Sequence, residues 1–213
     1  MDAELFPRPR TQIAPGAVHL PGWLDTDRQR ELLAACRDWA RPPAGLRTVR
    51  TPGGGTMTAR QVCLGWHWYP YGYARTVVDG DGAPVKPFPD RLGDLGRRAV
   101  RDALGEDVAA YDIALINFYD ADARMGMHRD SDEKSDAPVV SLSLGDTCVF
   151  RFGNTETRTR PYTDVELRSG DLFVFGGPAR LSYHGVPRVH AGTAPPELGL
   201  TGRLNITLRV SGL

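Results

Sequence analysis

The stretch Met127-His128-Arg129-Asp130-Ser131-Asp132 sets a histidine and a carboxylate two residues apart, with a second carboxylate two further on. If the stretch is extended, His128 and Asp130 leave the chain on one face, because strand side chains alternate with period two. An imidazole beside a carboxylate is two thirds of a facial iron(II) site. A second histidine would complete it and leave positions open for oxygen and a co-substrate. Taken alone, the pattern reads more simply as a histidine and acids in a polar loop. Among the other histidines, His19 stands near the start, His67 lies among aromatics and His190 sits in a Pro/Gly-rich loop. His184, read as ending the apolar run 181–186, is the best-placed third ligand, although a lone histidine there is more often structural.

A second pattern lies near the end of the chain. In Arg203-Leu204-Asn205-Ile206-Thr207-Leu208-Arg209-Val210 the odd positions are polar and the even ones apolar, so two arginines and an asparagine share a face. That face is either the solvated side of a half-buried strand or the polar lining of a cavity in a barrel-like sandwich. Buried guanidiniums need anionic partners, which a small dicarboxylate would supply. In 111–119, Asn117 and Tyr119 share a face with Ile113 and Leu115, the mixture by which pockets orient a ligand. The plainer reading is an ordinary core tyrosine.

These residues need elements to hold them. Thr26-Asp27-Arg28-Gln29 reads as a capping box; Leu32, Leu33, Cys36, Trp39 and Ala40 follow at helical spacing and Pro42-Pro43 ends the element. A second helix is expected from Asp90 to Leu104 with Gly105 as its stop. Between them, Thr51-Pro52-Gly53-Gly54-Gly55-Thr56 is a turn that lacks the ending of a phosphate loop. The aromatic segment 62–90 suits a hairpin or lid better than a core element. From 111 onward come short apolar runs at 111–119, 139–144, 147–152, 165–167, 171–175, 181–186 and 203–210. Such spacing points to a β-sandwich or jelly roll.

The length, 213 residues, suits one domain. Formal net charge is zero, so no global basic field announces a duplex-binding protein, although arginines dominate the cations and Lys86 and Lys134 are the only lysines. Cys36, Cys63 and Cys148 are too sparse for a disulfide framework and suggest a reducing compartment. No signal peptide or apolar run long enough for a membrane is visible. A soluble, cytoplasmic protein, expected to be a monomer, is the reading.

Together, His128-x-Asp130, His184 and Arg203-x5-Arg209 resemble the Fe(II)/2-oxoglutarate dioxygenases. Further features resemble their AlkB branch: Asn117-Phe118-Tyr119, Val140-Ser141-Leu142-Ser143-Leu144-Gly145, Arg203-Leu204-Asn205-Ile206-Thr207-Leu208-Arg209, and upstream Thr51-Pro52-Gly53-Gly54 and Leu64-Gly65-Trp66. The resemblance spans roughly 15–210 and is strongest to bacterial members, with a shorter segment between Met57 and Trp66. It implies a mostly β (α+β) domain over 1–213 with flanking helices and a double-stranded β-helix, or jelly-roll, core. An extension over about 1–15 and a substrate-binding lid over about 50–88 would belong to it. Iron(II) would be held by His128, Asp130 and His184. The distal carboxylate of 2-oxoglutarate would meet Arg203 with Tyr119, while Asn117 and Arg209 sit near its iron-bound end and Asn205 completes the co-substrate set. With O2, the reaction would be oxidative demethylation of bases such as 1-methyladenine and 3-methylcytosine in single-stranded DNA, with RNA as a further candidate, releasing formaldehyde, succinate and carbon dioxide.

On the substrate side, the resemblance makes Trp66 the stacking aromatic, with the His128 ring on the other face of the base. Tyr73, Ala74 and Arg75 would touch the backbone, Asp132 would read the exocyclic amine, and Arg158 would meet a phosphate or base. For Trp66 the rival reading is a core tryptophan, and for Asp132 a solvated loop acid. Two other function classes stay in view. One is an oxygenase of the same kind acting on protein, lipid or small molecule, which needs neither Trp66 nor Asp132. The other is a non-catalytic, cupin-like module, against which the arginine pair speaks.

Overall fold

The computed structural model describes residues 7–51, 53–108 and 110–213; Pro52 of the Thr51–Thr56 turn and the first six residues lie outside them. The chain runs β1 (Thr11–Ala14), β2 (Ala17–Leu20), α1 (Thr26–Trp39), β3 (Arg47–Arg50), β4 (Thr56–Leu64), β5 (His67–Tyr69), β6 (Gly72–Ala74) and α2 (Asp90–Leu104). It continues with β7 (Ile113–Tyr119), β8 (Met125–His128), β9 (Val139–Gly145), β10 (Thr147–Phe152), β11 (Thr163–Leu167), β12 (Leu172–Phe175), β13 (His184–His190) and β14 (Arg203–Arg209). A large sheet has the order β1-β2-β12-β9-β14-β7-β4-β3, a smaller one β11-β10-β13-β8, and β5-β6 is a separate hairpin. This is the mostly β, jelly-roll architecture expected.

Strand alternation sorts the large sheet into two faces. Val140, Leu142 and Leu144 of β9 and Leu204, Ile206 and Leu208 of β14 pack with Leu32, Leu33 and Cys36 of α1 and Leu92, Ala99 and Val100 of α2. The opposite face meets the small sheet through Phe150, Phe152, Phe173 and Phe175, where the Phe150 and Phe173 rings lie 4.9 Å apart in an edge-on contact. All seven residues of β14 are buried, so its polar face is interior and not solvated.

The helices follow the sequence with one shift. α2 ends where expected, at Gly105 with φ 72°, a left-handed cap that glycine adopts without cost to a Cβ. At α1 the cap is Asp25, whose carboxylate accepts from the Arg28 amide at 2.8 Å. The capping box therefore slips by one residue, because aspartate caps as well as threonine does. Gln29 turns inward instead, donating to the Leu24 carbonyl and accepting from Ser169 Oγ.

The segment 50–88 is two things. β4 is a strand of the large sheet, paired to β7 from Arg60 to Leu64, with Val62, Cys63 and Leu64 buried. Only β5 and β6 form a hairpin apart from the sheets. Near the start of the chain, the 1–15 region supplies β1 and Arg8, whose guanidinium makes two 2.7 Å bonds to Asp171. No helix among the described residues is long and apolar enough to cross a membrane.

Candidate active site

β8 and β13 are neighbours, and their register sets His128 directly opposite His184. His128 is the last residue of β8, and Asp130 follows in the irregular loop beyond it. His184 begins its strand and does not end one; the strand runs on to His190, which is thus a strand residue and not a loop residue. The two imidazole rings are 4.5 Å apart. Asp130 Oδ1 lies 3.7 Å from His128 Nε2, and Oδ2 lies 3.7 Å from His184 Nε2. Each Nδ1 faces a backbone carbonyl, Gly126 O at 2.9 Å and Ser182 O at 3.0 Å. A carbonyl only accepts, so Nδ1 carries the proton and each Nε2 keeps a lone pair for a ligand. One donor atom from each of the three residues lies within 4.8 Å of the others.

The electrostatics suit a metal. Burial, more than the opposing pull of Asp130, brings the His184 imidazole down to about 4, with His128 and Arg209 adding to the fall. It is neutral near pH 7, as a metal ligand must be. Burial alone would raise the Asp130 carboxyl; Arg209, His184, His128 and Arg180 outweigh it and hold it at about 2. Asp130 is 4% exposed, whereas the His128 side chain is 40% exposed, so the centre opens on the His128 side.

Behind the triad the large sheet presents its polar face. The register aligns Gln61, Asn117, Asn205 and Ser143 across four strands, with Tyr119 beside Arg203 in the next row. Gln61 Nε2 donates to Asn117 Oδ1 at 3.0 Å, and Asn205 Nδ2 donates to Ser141 Oγ at 2.8 Å. Burial raises the Tyr119 phenol well above its ordinary value, so it stays neutral. Arg203 is 1% exposed and has one bond, from Nη2 to Ser143 Oγ at 3.0 Å. Arg209 reaches Asp130 Oδ1 at 2.6 Å and Glu133 Oε1 at 2.9 Å. Among the described residues, the buried side-chain atoms without a partner are Asp130 Oδ2, Arg203 Nε and Nη1, and Arg209 Nε. All belong to residues lining one cavity, together with Asn117, Tyr119 and Phe175. Buried charge left unmatched is costly. A metal at Asp130 Oδ2 and a carboxylate at Arg203 would satisfy three of these four atoms, so the residues present fit an iron(II) ion with a dicarboxylate beside it.

Spacing in the sequence did not reveal Glu133 and Arg180. Arg180 donates to the Asp130 carbonyl at 2.6 Å, the Ala137 carbonyl at 2.9 Å and Glu133 Oε2 at 2.9 Å, fixing the loop after β8. Glu133, its side chain fully covered, also accepts from Arg209 and from the Tyr73 hydroxyl. The acid run after Asp130 was a visible signal, but its partner stands 47 residues away.

The substrate-side residues divide. Tyr73 lies over the loop through Glu133, and Asp132 accepts from the Trp68 indole at 2.8 Å. Trp66 points elsewhere: its indole donates to Asp112 at 3.2 Å, the Arg75 guanidinium covers its ring at 3.4 Å, and it does not line the triad cavity. Ala74 pairs with His67 at the end of β6. Arg158 is exposed, 5.8 Å from the Tyr183 ring, with Arg129 at 5.2 Å from the same ring.

Comparison with known proteins agrees with this geometry. Residues 16–209 match the family described as the 2OG-Fe(II) oxygenase superfamily. An alpha-ketoglutarate-dependent dioxygenase AlkB homolog of Caulobacter vibrioides is 38% identical, the alignment covering 97% of this chain and 92% of that one. The DNA N(6)-methyladenine demethylase ALKBH1D of Arabidopsis thaliana is 32% identical over 92% of this chain, which spans only 50% of that protein. The solved structure of OsALKBH1 superimposes with a TM-score of 0.83 at 32% identity, covering 93% of this chain and 100% of that one.

Proposed function

The chain belongs to the AlkB-type 2OG-Fe(II) oxygenases, and from that premise we propose that it removes N-methyl groups oxidatively from nucleic-acid bases. The observation that carries the reading is the set of orphaned polar atoms, Asp130 Oδ2, Arg203 Nε and Nη1 and Arg209 Nε, gathered in one cavity. Iron(II), 2-oxoglutarate and dioxygen supply the oxidation of the methyl group, with succinate, carbon dioxide and formaldehyde as products. In this reading His128, Asp130 and His184 hold the metal. Arg203 receives the distal carboxylate, with Tyr119 and Asn205 beside it, and Arg209 and Asn117 border the other end. A guanidinium suits this task because its planar fork gives paired, charge-assisted hydrogen bonds.

The target base must leave a stack or come from a single strand to reach the His128 side. We assign Asp132 to a base carrying an exocyclic amine and positive charge, as in 1-methyladenine and 3-methylcytosine. Tyr73, Ala74, Arg75 and Arg158 are assigned to the flanking strand, of DNA or RNA. Trp66, expected to stack on the target base opposite His128, does not line the cavity and is assigned instead to a neighbouring nucleotide. The reading takes the protein to act as a cytoplasmic monomer. The relative named DNA N(6)-methyladenine demethylase makes the N6-methyl group a second candidate.

The test measures formaldehyde and succinate release with oligonucleotides carrying 1-methyladenine, 3-methylcytosine or N6-methyladenine. Wild type should respond to at least one, and His128→Ala, Asp130→Ala and His184→Ala should give folded proteins without turnover, each lacking one of three metal ligands. Succinate release that no methylated nucleic acid stimulates would overturn the assignment of substrate class.

A further inference from the structure

Two adjacent acids of the metal loop are each tied to the β5–β6 hairpin, and the two ties differ. Glu133 is saturated: Tyr73, Arg180 and Arg209 all donate to it. Asp132 has one bond, from Trp68 Nε1 to Oδ2 at 2.8 Å. No hydrogen bond reaches its Oδ1 among the described residues. Trp68 and Tyr73 are cross-strand partners, so both side chains leave the hairpin on one face. Trp66, two residues before Trp68, is committed to Asp112 and Arg75. The Trp68 ring packs with Tyr73 against Cys63, Ile113 and Leu115, which gives it little freedom to turn.

Building on the reading of Asp132 as the group that meets the base, we propose that Trp68 is a positioning residue for it. The indole N–H holds one carboxylate oxygen and so fixes the plane of the other, Oδ1, which is left to accept from an exocyclic amine. An indole donates and cannot accept, so it cannot compete for the amine proton. A carboxylate anchored by one oxygen loses less freedom on binding than one turning in solvent, and that advantage reaches only ligands that use the second oxygen. Trp68 thereby determines selectivity among bases and not general activity.

The experiment is a double-substitution cycle on two substrates. Wild type, Trp68→Phe, Asp132→Ala and the double variant are assayed for kcat/KM on oligonucleotides with 1-methyladenine, which has the amine in play, and 1-methylguanine, which presents a carbonyl there. Trp68→Phe keeps the ring and deletes the donor. It should lose about tenfold on 1-methyladenine and much less on 1-methylguanine, the size of a hydrogen bond to a charged group. Because Trp68 acts through Asp132, the double variant should be no worse than Asp132→Ala alone. Equal losses on both substrates, or additive losses, would overturn the proposal and make Trp68 a stacking or packing group. A measurement on wild type needs no substitution: the Trp68 indole proton should stay protected from solvent exchange when the 1-methyladenine oligonucleotide binds, and loss of protection would also overturn it. If wild type acts on neither of these substrates but on N6-methyladenine, this inference fails and the reading of the function stands; if it acts on no methylated base, both fail.

Discussion

Arg203 shows how one residue's environment decides its role. It is among the largest fully buried side chains, yet two of its three nitrogens have no partner. A protein does not keep such a group for stability, since an uncompensated buried charge is destabilising. Arg203→Leu should therefore fold at least as well as wild type in the absence of co-substrate, while its apparent KM for 2-oxoglutarate rises by about tenfold or more, the cost of leaving a carboxylate without its charged donor. Titration of 2-oxoglutarate in a succinate assay checks this. An unchanged KM would mean that the co-substrate carboxylate lies elsewhere. Half of this was legible in the sequence. The alternation of β14 put Arg203, Asn205 and Arg209 on one face, but alternation does not tell an interior polar face from a solvated one. What decides it is coverage by the small sheet, which depends on contacts far apart in the chain.

At the scale of elements, the site depends on how closely β8 approaches β13. Gly185 follows His184, and a Cβ there would stand 2.7 Å from the Met125 carbonyl oxygen and 3.0 Å from the Gly126 carbonyl. Those neighbours are backbone and cannot turn aside. Gly185→Ala should push β8 outward and carry His128 with it, separating the two histidines that the register now sets face to face. Iron(II) affinity, measured by titration calorimetry under anaerobic conditions, should fall by about 10- to 100-fold, as for other changes that misorient a metal ligand; unaltered affinity would show that the strand pair absorbs the methyl. The sequence made α2 and the β10 boundaries plain, because their apolar periodicity and stop signals agree. It misplaced His184 at the wrong end of its strand, since the glycine that follows it, Gly185, reads as a stop. It gave no sign of Trp68, whose contact with Asp132 depends on which way the hairpin faces.

On the scale of the whole molecule, Asp171 ties the chain's beginning to its core. Burial would raise its carboxyl, but the bonds from His19, Arg8, and the Arg168 and Gly22 amides hold it at about 2. The folded value lies below the unfolded one, so the stabilisation is fully present above about pH 4 and is lost as pH falls toward 2, amounting to about 2 kcal/mol. Denaturant midpoints measured from pH 6 down to pH 2.5 (about the accessible range) should fall more steeply for wild type than for Asp171→Asn, and parallel curves would exclude this role. The same global view gives β14 a further meaning. It is the last strand in the chain, yet it lies in the middle of the large sheet, between β9 and β7. A chain cut before residue 203 would lack both the strand that joins the two halves of the sheet and the two arginines beside the triad, so one truncation removes scaffold and co-substrate site together.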